Sequence, residues 1–358
     1  MNFLFETFIV FFENMKKQNF KKRVIVAMSG GVDSSVAAAL LKQAGFDVIG
    51  IMMKFWKDGQ SQDNRCCSVE SEKLARLVAR KIGIQFYVIN AEKEFKRKVV
   101  DYFLKDYKIG NTPNPCVICN KEIKFGFLMR KALSLGSDFI ATGHYARIKG
   151  GKLFKGRDKE KDQSYFLWQL SKKQLSHVLF PVGGYTKSEV RELAKKFNLP
   201  TAETPESQEV CFVQDTTDNF LDKYLGKKPG KITDMKGKKM GEHKGLWFYT
   251  IGQRRGLEIP QGPYYVVNKD FKKNILIVSK SQKDLNKREL MIGNMSWVYP
   301  QKFPVSVDVK IRYKSEFAKA KIFRNGKVLF NKPQKAITPG QSAVFYRGQT
   351  VLGGGVIL

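Results

Sequence analysis

Two cysteines lie three residues apart in the stretch NPCVICN, which runs from Asn114 to Asn120. The chain has five cysteines, and the other three are the adjacent pair Cys66 and Cys67 and a single Cys211. A lone C-x-x-C is compatible with half of a zinc site, a dithiol redox pair, part of a cluster ligand set or a sulfur carrier. An odd number of cysteines does not indicate a secreted disulfide framework, so we expect a cytoplasmic protein.

A glycine-serine loop, SGGVDSS, runs from Ser29 to Ser35 between a predicted strand and a predicted helix. Its glycines allow backbone N–H groups to form a concave nest, and the helix adds its positive N-terminal end. The loop is therefore suited to phosphate oxygens, and Asp33 fits beside a phosphate if Mg²⁺ lies between them. The sequence matches neither a Walker A loop nor a dinucleotide-binding fingerprint.

The elements around this loop predict an α/β fold with a parallel sheet. Strand-like and helix-like segments alternate through the first two hundred residues, which is typical of a parallel sheet covered by helices on both faces. Ligands of such sheets bind beyond the carboxyl ends of the strands. The predicted strands are 24–28, 48–53, 84–90 and 139–142, and the predicted helices are 35–44, 70–82, 92–108 and 123–135.

The pattern changes after about residue 215. Short strands and exposed turns follow, and from about residue 285 apolar and polar residues alternate, with a hairpin signal at Asn325-Gly326. We therefore predict an N-terminal extension (1–20), a parallel-sheet catalytic domain (21–215), a small central domain (216–284) and a C-terminal antiparallel β-barrel (285–358). The apolar N-terminus lacks a basic region and carries Glu6 and Glu13, so we expect neither a signal peptide nor a membrane span.

The charge balance predicts a polyanionic partner. The chain has 64 Lys and Arg against 33 Asp and Glu, and residues 221–358 alone hold 28 basic and 9 acidic side chains. Nucleic acid is the commonest partner of so basic a surface, and a solvated lysine-rich surface is the alternative.

The residue types leave the role of the cysteines open. A thiolate is a good sulfur nucleophile, and Cys119 near a helix N-terminus with Lys121 and Lys124 close by is placed to favour that form. A zinc site would need Cys211 and one of three histidines, and a redox pair would leave Cys211 without a role. Cys66 and Cys67 lie in a polar loop and are interpreted as structural or incidental.

From Arg23 onward the sequence resembles the bacterial tRNA-specific 2-thiouridylases of the N-type ATP pyrophosphatase (PP-loop) superfamily, which has an adenine nucleotide alpha hydrolase-like domain. The motifs that carry the resemblance are AMSGGVDSSV, TPNPCVICNKEIKF, ATGHYARI, KDQSYFLWQL, FPVGGYTKSEVRELA, ESQEVCFV, FYTIGQRRGL and PGQSAVFY. The resemblance implies ATP-dependent 2-thiolation of the wobble uridine of tRNA Lys, Glu and Gln through an adenylated O2. It also implies a sulfur donor protein or hydrosulfide.

The resemblance implies a role for each matching residue. Cys119 would be the catalytic nucleophile and Cys211 the persulfide carrier, with a Cys119–Cys211 disulfide as the product of sulfur transfer. The residues implied at the ATP site are Ala27, Met28, Ser29, Gly30, Gly31, Val32, Asp33, Ser34, Met53 and Gly143. Asn114, Pro115 and Cys116 would face the target base. The residues implied at the tRNA are His144, Lys161, Asp162, Gln163, Arg312, Tyr313 and Gln341.

Cys116 departs from the family pattern, because many relatives carry Asp at this position. Three thiols, Cys116, Cys119 and Cys211, would suit a [4Fe–4S] cluster with one open iron that binds hydrosulfide. Persulfide transfer with Cys116 as a bystander is the alternative. Two further functions remain open at this point, namely another adenylating tRNA modifier such as a lysidine synthetase, and a non-catalytic RNA-binding protein.

Overall fold

The computed structural model of the chain describes residues 22–58, 67–205 and 210–358. The predicted N-terminal extension, Cys66 and residues 206–209 of the ESQEVCFV motif lie outside the described residues. The described chain forms two compact units, the first within residues 1–98 and 118–214 and the second within residues 99–117 and 215–358. The NPCVICN motif thus crosses the boundary between the units. The four-part division proposed above stays a prediction.

The first unit is built on a five-stranded parallel sheet with the order β3-β2-β1-β4-β7. Its strands are β1 (Arg23–Ala27), β2 (Asp47–Lys54), β3 (Gln85–Asn90), β4 (Phe139–Ala141) and β7 (Val178–Leu179). The four predicted strands are confirmed. The two-residue β7 is too short to give a sequence signal, and it forms because its backbone pairs with β4.

Helices cover this sheet, and their ends follow the local sequence. They include α1 (Val32–Gln43), α2 (Val69–Ile82), α7 (Lys172–Leu175) and α8 (Lys187–Lys196). Ser68 caps α2 by accepting a hydrogen bond from the Ser71 backbone, and Gly83 ends it in the left-handed conformation. Helix α1 is buried along almost its whole length, because its small apolar side chains lie between the sheet and neighbouring helices.

Two predicted α-helices contain π-helical segments. Residues 92–108 form α3 (Glu92–Phe95), a π-helical segment (Lys96–Val100) and α4 (Asp101–Lys108). The NPCVICN motif enters α5 (Pro115–Ile118), which continues as a π-helical segment (Cys119–Leu128) and then α6 (Met129–Ser134). None of the helices in the described part of the chain is long and apolar enough to cross a membrane.

The rest of the first unit carries loops that reach the carboxyl edge of the sheet. A hairpin of β5 (Ala146–Lys149) and β6 (Lys152–Lys155) follows β4. A 3-10 turn (Ser164–Phe166) comes next and ends the KDQSYF stretch.

The second unit contains a mixed sheet of order β10-β11-β8-β9. Its strands are β8 (Gly230–Asp234), β9 (Lys239–His243), β10 (Tyr265–Asp270) and β11 (Ile275–Ser279), preceded by α9 (Thr217–Leu225). Short 3-10 turns occur at Leu246–Phe248 and Gln282–Leu285.

Six antiparallel strands of the second unit form a barrel, as predicted. They are β12 (Asn286–Trp297), β13 (Val305–Lys310), β14 (Ala318–Ile322), β15 (Lys327–Lys335), β16 (Ser342–Arg347) and β17 (Thr350–Ile357). Pairing of β12 with both β15 and β17 closes the barrel. Alternating burial along β13 and β14 points valine, alanine and isoleucine side chains inward. The predicted hairpin turn joins β14 to β15, with Gly326 at φ +86°.

Candidate active site

A cavity of about 210 Å³ lies at the carboxyl edge of the parallel sheet, where β1, β2 and β4 end. This is the edge at which ligands of parallel sheets bind. The predicted nucleotide-site residues that line it are Ala27, Met28, Ser29, Asp33, Ser34, Met53 and Gly143. Residues that sequence reasoning did not place there are Ile51, Phe55, Lys124 and Thr142, and the predicted tRNA residues His144 and Gln163 also line it.

The glycine-serine loop is tightly folded above α1. Gly30 has φ +77°, and a Cβ atom there would lie 2.3 Å from the Ser71 carbonyl oxygen, so only glycine fits. The Ser34 hydroxyl donates to the Gly31 carbonyl at 3.1 Å and accepts from the Ser29 N–H at 3.3 Å. Gly31 precedes α1 without a side-chain cap, so the positive end of a twelve-residue helix faces the cavity side of the loop.

Gly143 lets the end of β4 approach this loop closely. A Cβ atom at Gly143 would lie 2.7 Å from the Asp33 carbonyl carbon and from the Ser34 nitrogen. The contact fixes the floor of the cavity against the start of α1. Backbone packing against the loop therefore explains why position 143 requires glycine.

Asp33 forms an ion pair that sequence reasoning missed. The Lys187 ammonium donates to both Asp33 carboxylate oxygens, at 2.7 and 2.8 Å, and the Lys187 side chain is 11% exposed. The Tyr145 hydroxyl donates to the same carboxylate at 2.7 Å. Lys187 begins α8 and lies 154 residues from Asp33, so only the fold reveals the pair. The two residues that bind Asp33, Tyr145 and Lys187, lie in the motifs ATGHYARI and FPVGGYTKSEVRELA.

His144 lies inside the first unit and not on its surface. It is 8% exposed and packs against the rings of Phe125 and Phe180. Burial, followed by the nearby Lys124 charge, holds the pKa of His144 well below its usual value, so the imidazole is neutral near pH 7. Lys124 carries only donors, so Nε2 accepts from Lys124 Nζ at 3.4 Å and Nδ1–H donates to the Thr142 hydroxyl at 2.6 Å.

Cys119 and Lys124 both lie in the π-helical segment Cys119–Leu128, five residues apart. In a π-helix the carbonyl of residue i accepts from the N–H of residue i+5, which is the spacing of these two residues. Cys119 is buried, and Lys124 lines the cavity. The same helical segment therefore carries the predicted nucleophile and one residue of the cavity wall.

The other cysteines occupy different surroundings. Cys116 is exposed on α5, and Cys211 is half-buried in a turn closed by a hydrogen bond from the Val213 N–H to the Val210 carbonyl. Cys67 is buried, and its sulfur accepts from the Phe55 backbone at 3.4 Å, which agrees with a structural role.

The three-cysteine ligand set has Cys116 in the second unit and Cys119 and Cys211 in the first. Among residues 22–58, 67–205 and 210–358, no group of three or more His, Cys, Asp or Glu is placed to hold a metal ion. That ligand set stays a prediction from sequence, and no step of the mechanism is derived through it.

Comparison with known proteins covers nearly the whole chain. Residues 22–215 match the profile of the tRNA methyl transferase HUP domain. Residues 218–280 match the tRNA methyl transferase PRC-barrel domain, and residues 287–357 match the aminomethyltransferase beta-barrel domain. The tRNA-specific 2-thiouridylase MnmA of Halothermothrix orenii is 48% identical over 353 residues, which cover 94% of this chain and 98% of that protein. The chain belongs to this family of thiouridylases.

Other relatives agree over the same length. The tRNA-specific 2-thiouridylases MnmA of Carboxydothermus hydrogenoformans and Clostridium acetobutylicum are each 45% identical, cover 94% of this chain, and are themselves covered over 98% and 99%. Among solved structures, a 4-thiouridine synthetase in complex with RNA and ATP is 17% identical with a TM-score of 0.37, covering 56% of this chain and 49% of that one. That likeness is too low to carry an argument.

Three of the residues that the resemblance implies at the tRNA, Lys161, Asp162 and Gln163, lie in the first unit and differ in their contacts. Asp162 is 7% exposed and accepts hydrogen bonds from the Gly156 and Ser164 backbones, which makes it a loop-stabilising carboxylate. Gln163 lines the cavity and accepts from the Tyr145 N–H at 3.0 Å. Lys161 donates its backbone N–H to Asp158. Burial of Asp162 gives no support to a direct contact with tRNA.

The second unit holds the remaining predicted tRNA residues. The Arg312 guanidinium donates to the Thr338 hydroxyl at 2.9 Å and to the Ala336 carbonyl. The Tyr313 carbonyl accepts from the Lys310 ammonium at 2.9 Å. The Gln341 amide donates to the Thr112 carbonyl at 2.7 Å. All of these hydrogen bonds lie within the second unit. Arg312, Tyr313 and Gln341, which the resemblance implies at the tRNA, therefore each have a partner inside the protein.

The described residues that line the cavity include a carboxylate and two hydroxyls. Among its described lining residues Asp33 is the one carboxylate, and the hydroxyls of Ser29 and Ser34 lie beside it. Mg²⁺ prefers such oxygen ligands and usually keeps several of its waters. Asp33 and these hydroxyls would hold the ion, which would neutralise phosphate charge when the nucleotide is bound.

Proposed function

We propose that this chain is an ATP-dependent tRNA uridine 2-sulfurtransferase that acts on the wobble uridine, U34, of tRNA Lys, Glu and Gln. The 2-thiolation of a tRNA uridine follows from membership of the thiouridylase family. The observation that carries the proposal is the cavity at the glycine-serine loop, whose wall includes Lys124 from the same helical segment as Cys119. We expect the reaction to take place in the cytoplasm.

The first step is activation of the base. The uridine O2 attacks the α-phosphorus of ATP, pyrophosphate leaves, and the O2 becomes part of an adenylate. The loop nest, the N-terminus of α1 and Lys187 provide positive charge toward the phosphates. Lys187 is held in place by its ion pair with Asp33. When ATP binds with its cation, Lys187 can bind a phosphate oxygen instead, and Asp33 can bind the cation.

The second step replaces oxygen with sulfur. A donor, either a persulfide-carrying protein or another source of sulfane sulfur, loads Cys211 as a persulfide. The Cys119 thiolate attacks the Cys211 sulfur, which forms the Cys119–Cys211 disulfide and releases hydrosulfide. Hydrosulfide attacks C2 and AMP leaves with the former O2. A thiol reductant then reopens the disulfide. Lys124, from the same helical segment as Cys119, supplies positive charge at the cavity wall.

Cys116 has no step in this scheme. It is exposed on α5, whereas Cys119 is buried, so the two thiols of NPCVICN are not equivalent. Asn114, Pro115 and Cys116 remain proposed as the residues that face the target base. The scheme requires only Cys119 and Cys211 for sulfur transfer.

Nucleoside mass spectrometry in a deletion strain tests this function. A bacterial strain that lacks its own thiouridylase is complemented with this chain, and tRNA Lys, Glu and Gln are digested and analysed. Restored 2-thiouridine at U34 is expected for the parent and for Cys116→Ser, and none for Cys119→Ser or Cys211→Ser. A lysidine-type modification, or thiouridine with Cys119→Ser, would contradict the assignment.

A further inference from the structure

Three buried phenylalanine rings of the first unit run from the wall of the cavity to the residue next to Cys211. Phe55 lines the cavity, and its ring stacks on that of Phe95, with the centroids 4.5 Å apart and 23° between the ring planes. The Phe95 ring meets that of Phe212 edge to face, with the centroids 5.7 Å apart and 75° between the planes. Their side chains are 6%, 0% and 2% exposed. This aromatic row therefore connects the cavity wall to the predicted persulfide carrier.

Phe55 and Phe95 are joined by backbone hydrogen bonds as well as by their rings. The Ala91 N–H donates to the Lys54 carbonyl at 2.9 Å, and the Phe95 N–H donates to the Ala91 carbonyl at 2.8 Å. These bonds connect the end of β2 to the start of α3. The Phe55 N–H also donates to the Cys67 sulfur at 3.4 Å. The stacked pair of rings therefore stands on a backbone that is fixed at the edge of the sheet.

Helix α3, which carries Phe95, also packs against the π-helical segment Cys119–Leu128. The same short helix therefore touches the segment that begins with the predicted nucleophile. Cys211 and Phe212 are the two central residues of the turn 210–213, which is closed by a 3.0 Å hydrogen bond from its last N–H to its first carbonyl. Because the Phe212 ring is buried against Phe95, the turn that presents the half-buried Cys211 is attached to this helix.

We propose that Phe95 and Phe212 are positioning residues for Cys211, and that their edge-to-face contact fixes the place from which sulfur is delivered. An aromatic pair has a preferred geometry that an aliphatic side chain of similar polarity does not reproduce. The inference rests on the proposed role of Cys211 as the persulfide carrier. It goes beyond that role in predicting that two buried rings, which touch no substrate, set the rate of sulfur transfer and leave the rate of adenylation to the cavity.

Phe212→Leu tests the inference in a single-turnover reaction of ATP, Mg²⁺ and tRNA with protein that carries a Cys211 persulfide. Leucine keeps the position apolar and removes the ring edge that faces Phe95. We expect the rate of 2-thiouridine formation after the pyrophosphate burst to fall about tenfold, since small misplacements of reacting groups cost up to about 10²-fold. The rate of pyrophosphate release and the Kd for tRNA should match those of the parent, because neither depends on the sulfur of Cys211.

Phe95→Leu provides a second test from the other side of the contact. It should slow 2-thiouridine formation as Phe212→Leu does, and the two effects should not add, because both remove the same ring contact. It should also raise the KM for ATP, since Phe95 supports Phe55 at the cavity wall. The matched control is Phe330→Leu, which changes a fully buried ring in the barrel core and should keep both rates. Thermal melting of each variant confirms that it is folded.

Alkylation of Cys211 reports its placement without the reaction. The free thiol is labelled with iodoacetamide, and the modified peptide is followed by mass spectrometry. Labelling should be about threefold faster in Phe212→Leu and in Phe95→Leu than in the parent, since a turn with less packing opens more often. In Phe330→Leu the labelling rate of Cys211 should be parental.

Three outcomes overturn the inference while the thiouridylase function stands. The first is a parental rate of 2-thiouridine formation, or a parental labelling rate of Cys211, in Phe212→Leu. The second is an equal slowing in Phe330→Leu, which would show a general loss of stability. The third is an equal slowing of pyrophosphate release and 2-thiouridine formation in Phe212→Leu, which would show that the ring acts on the cavity. Thiouridine formed by Cys211→Ser would instead contradict the proposed function.

Discussion

The cavity at the glycine-serine loop and the segment 111–114 are both held by polar contacts, but the contacts differ in kind. In the cavity a Lys187–Asp33 ion pair and a neutral, buried His144 surround space that a charged ligand can enter. Around Thr112, neutral donors bond to backbone carbonyls and close packing excludes even a methyl group. An ion pair exchanges partners when a phosphate arrives, whereas a filled set of neutral bonds does not. The first region is suited to binding and release, and the second to holding one geometry.

The largest expected effect concerns the Lys187–Asp33 ion pair. Lys187→Ala removes the cation that lies beside the loop, so tRNA-dependent pyrophosphate release should fall by about 10²–10³-fold. Lys187→Arg should recover part of this rate. The Kd for tRNA should not change. The rate of pyrophosphate release and the Kd are both measured with purified protein.

Two variants make this test specific. Lys195→Ala removes an exposed lysine from the same helix and should keep the parental rate, since its pair with Glu203 is highly exposed. Asp33→Ala should also abolish activation, because it removes the partner that holds Lys187 and the carboxylate expected to bind Mg²⁺. Parental pyrophosphate release by Lys187→Ala would show that the pair has no role in binding phosphate.

Arg312→Ala should lower stability and leave the salt dependence of tRNA binding unchanged. Its guanidinium donates to Thr338 and Ala336, and leaving such buried acceptors unpaired costs about 2 kcal/mol, which lowers the Tm by about 4–6 °C. Arg324→Ala, in the exposed β14–β15 turn, is the stability control. A salt slope reduced by about one unit at an unchanged Tm would restore the original assignment of Arg312 to tRNA.

His144 should make the protein less stable in acid. Its pKa is lowered in the folded state, so the unfolded chain binds the proton more readily and stability is lost as pH falls below about 6.5. The loss is about 1.4 kcal/mol per pH unit below that value. His144→Gln cannot titrate, so its Tm should fall less than that of the parent between pH 7 and 5.5. Equal Tm losses would mean that His144 is charged in the folded protein.

The smallest expected effect concerns the rigid region. Thr250→Val removes the hydroxyl that faces Thr112 while keeping the side-chain shape, so the free energy of unfolding should fall by only about 1 kcal/mol. Combined with Gln341→Ala, the effects should not add, because both act on Thr112. Strictly additive losses would indicate that the two residues act separately.

Local sequence predicted the parts of the molecule that are built from local contacts. The four longer strands, the Asn325–Gly326 hairpin turn and the glycine-serine loop between a strand and a helix were predicted because periodicity and glycine placement specify them. The start of α1 lies three residues before the prediction, since the loop's own Val32 and Asp33 already belong to the helix.

Contacts between distant residues could not be predicted. Lys187 reaches Asp33 from 154 residues away, and Gln341 reaches Thr112 from 229 residues away. The periodic pattern of apolar residues along the chain gives no information about contacts between residues so far apart. The π-helical segment after Cys119 was predicted as an ordinary helix, because the two forms share residue preferences and differ only in hydrogen-bond register. The resemblance implied a tRNA contact for His144, and a glycine-histidine-tyrosine stretch does not reveal that the imidazole is buried.

The most direct test of the account measures pyrophosphate and 2-thiouridine in the same single-turnover reaction. Purified protein with a Cys211 persulfide is mixed with ATP, Mg²⁺ and tRNA Lys that carries an unmodified U34. We expect one pyrophosphate per 2-thiouridine for the parent, and for Cys119→Ser a burst of pyrophosphate with no thiouridine. Thiouridine formed without pyrophosphate release, or formed equally well by Cys119→Ser, would contradict adenylation followed by cysteine-dependent sulfur transfer.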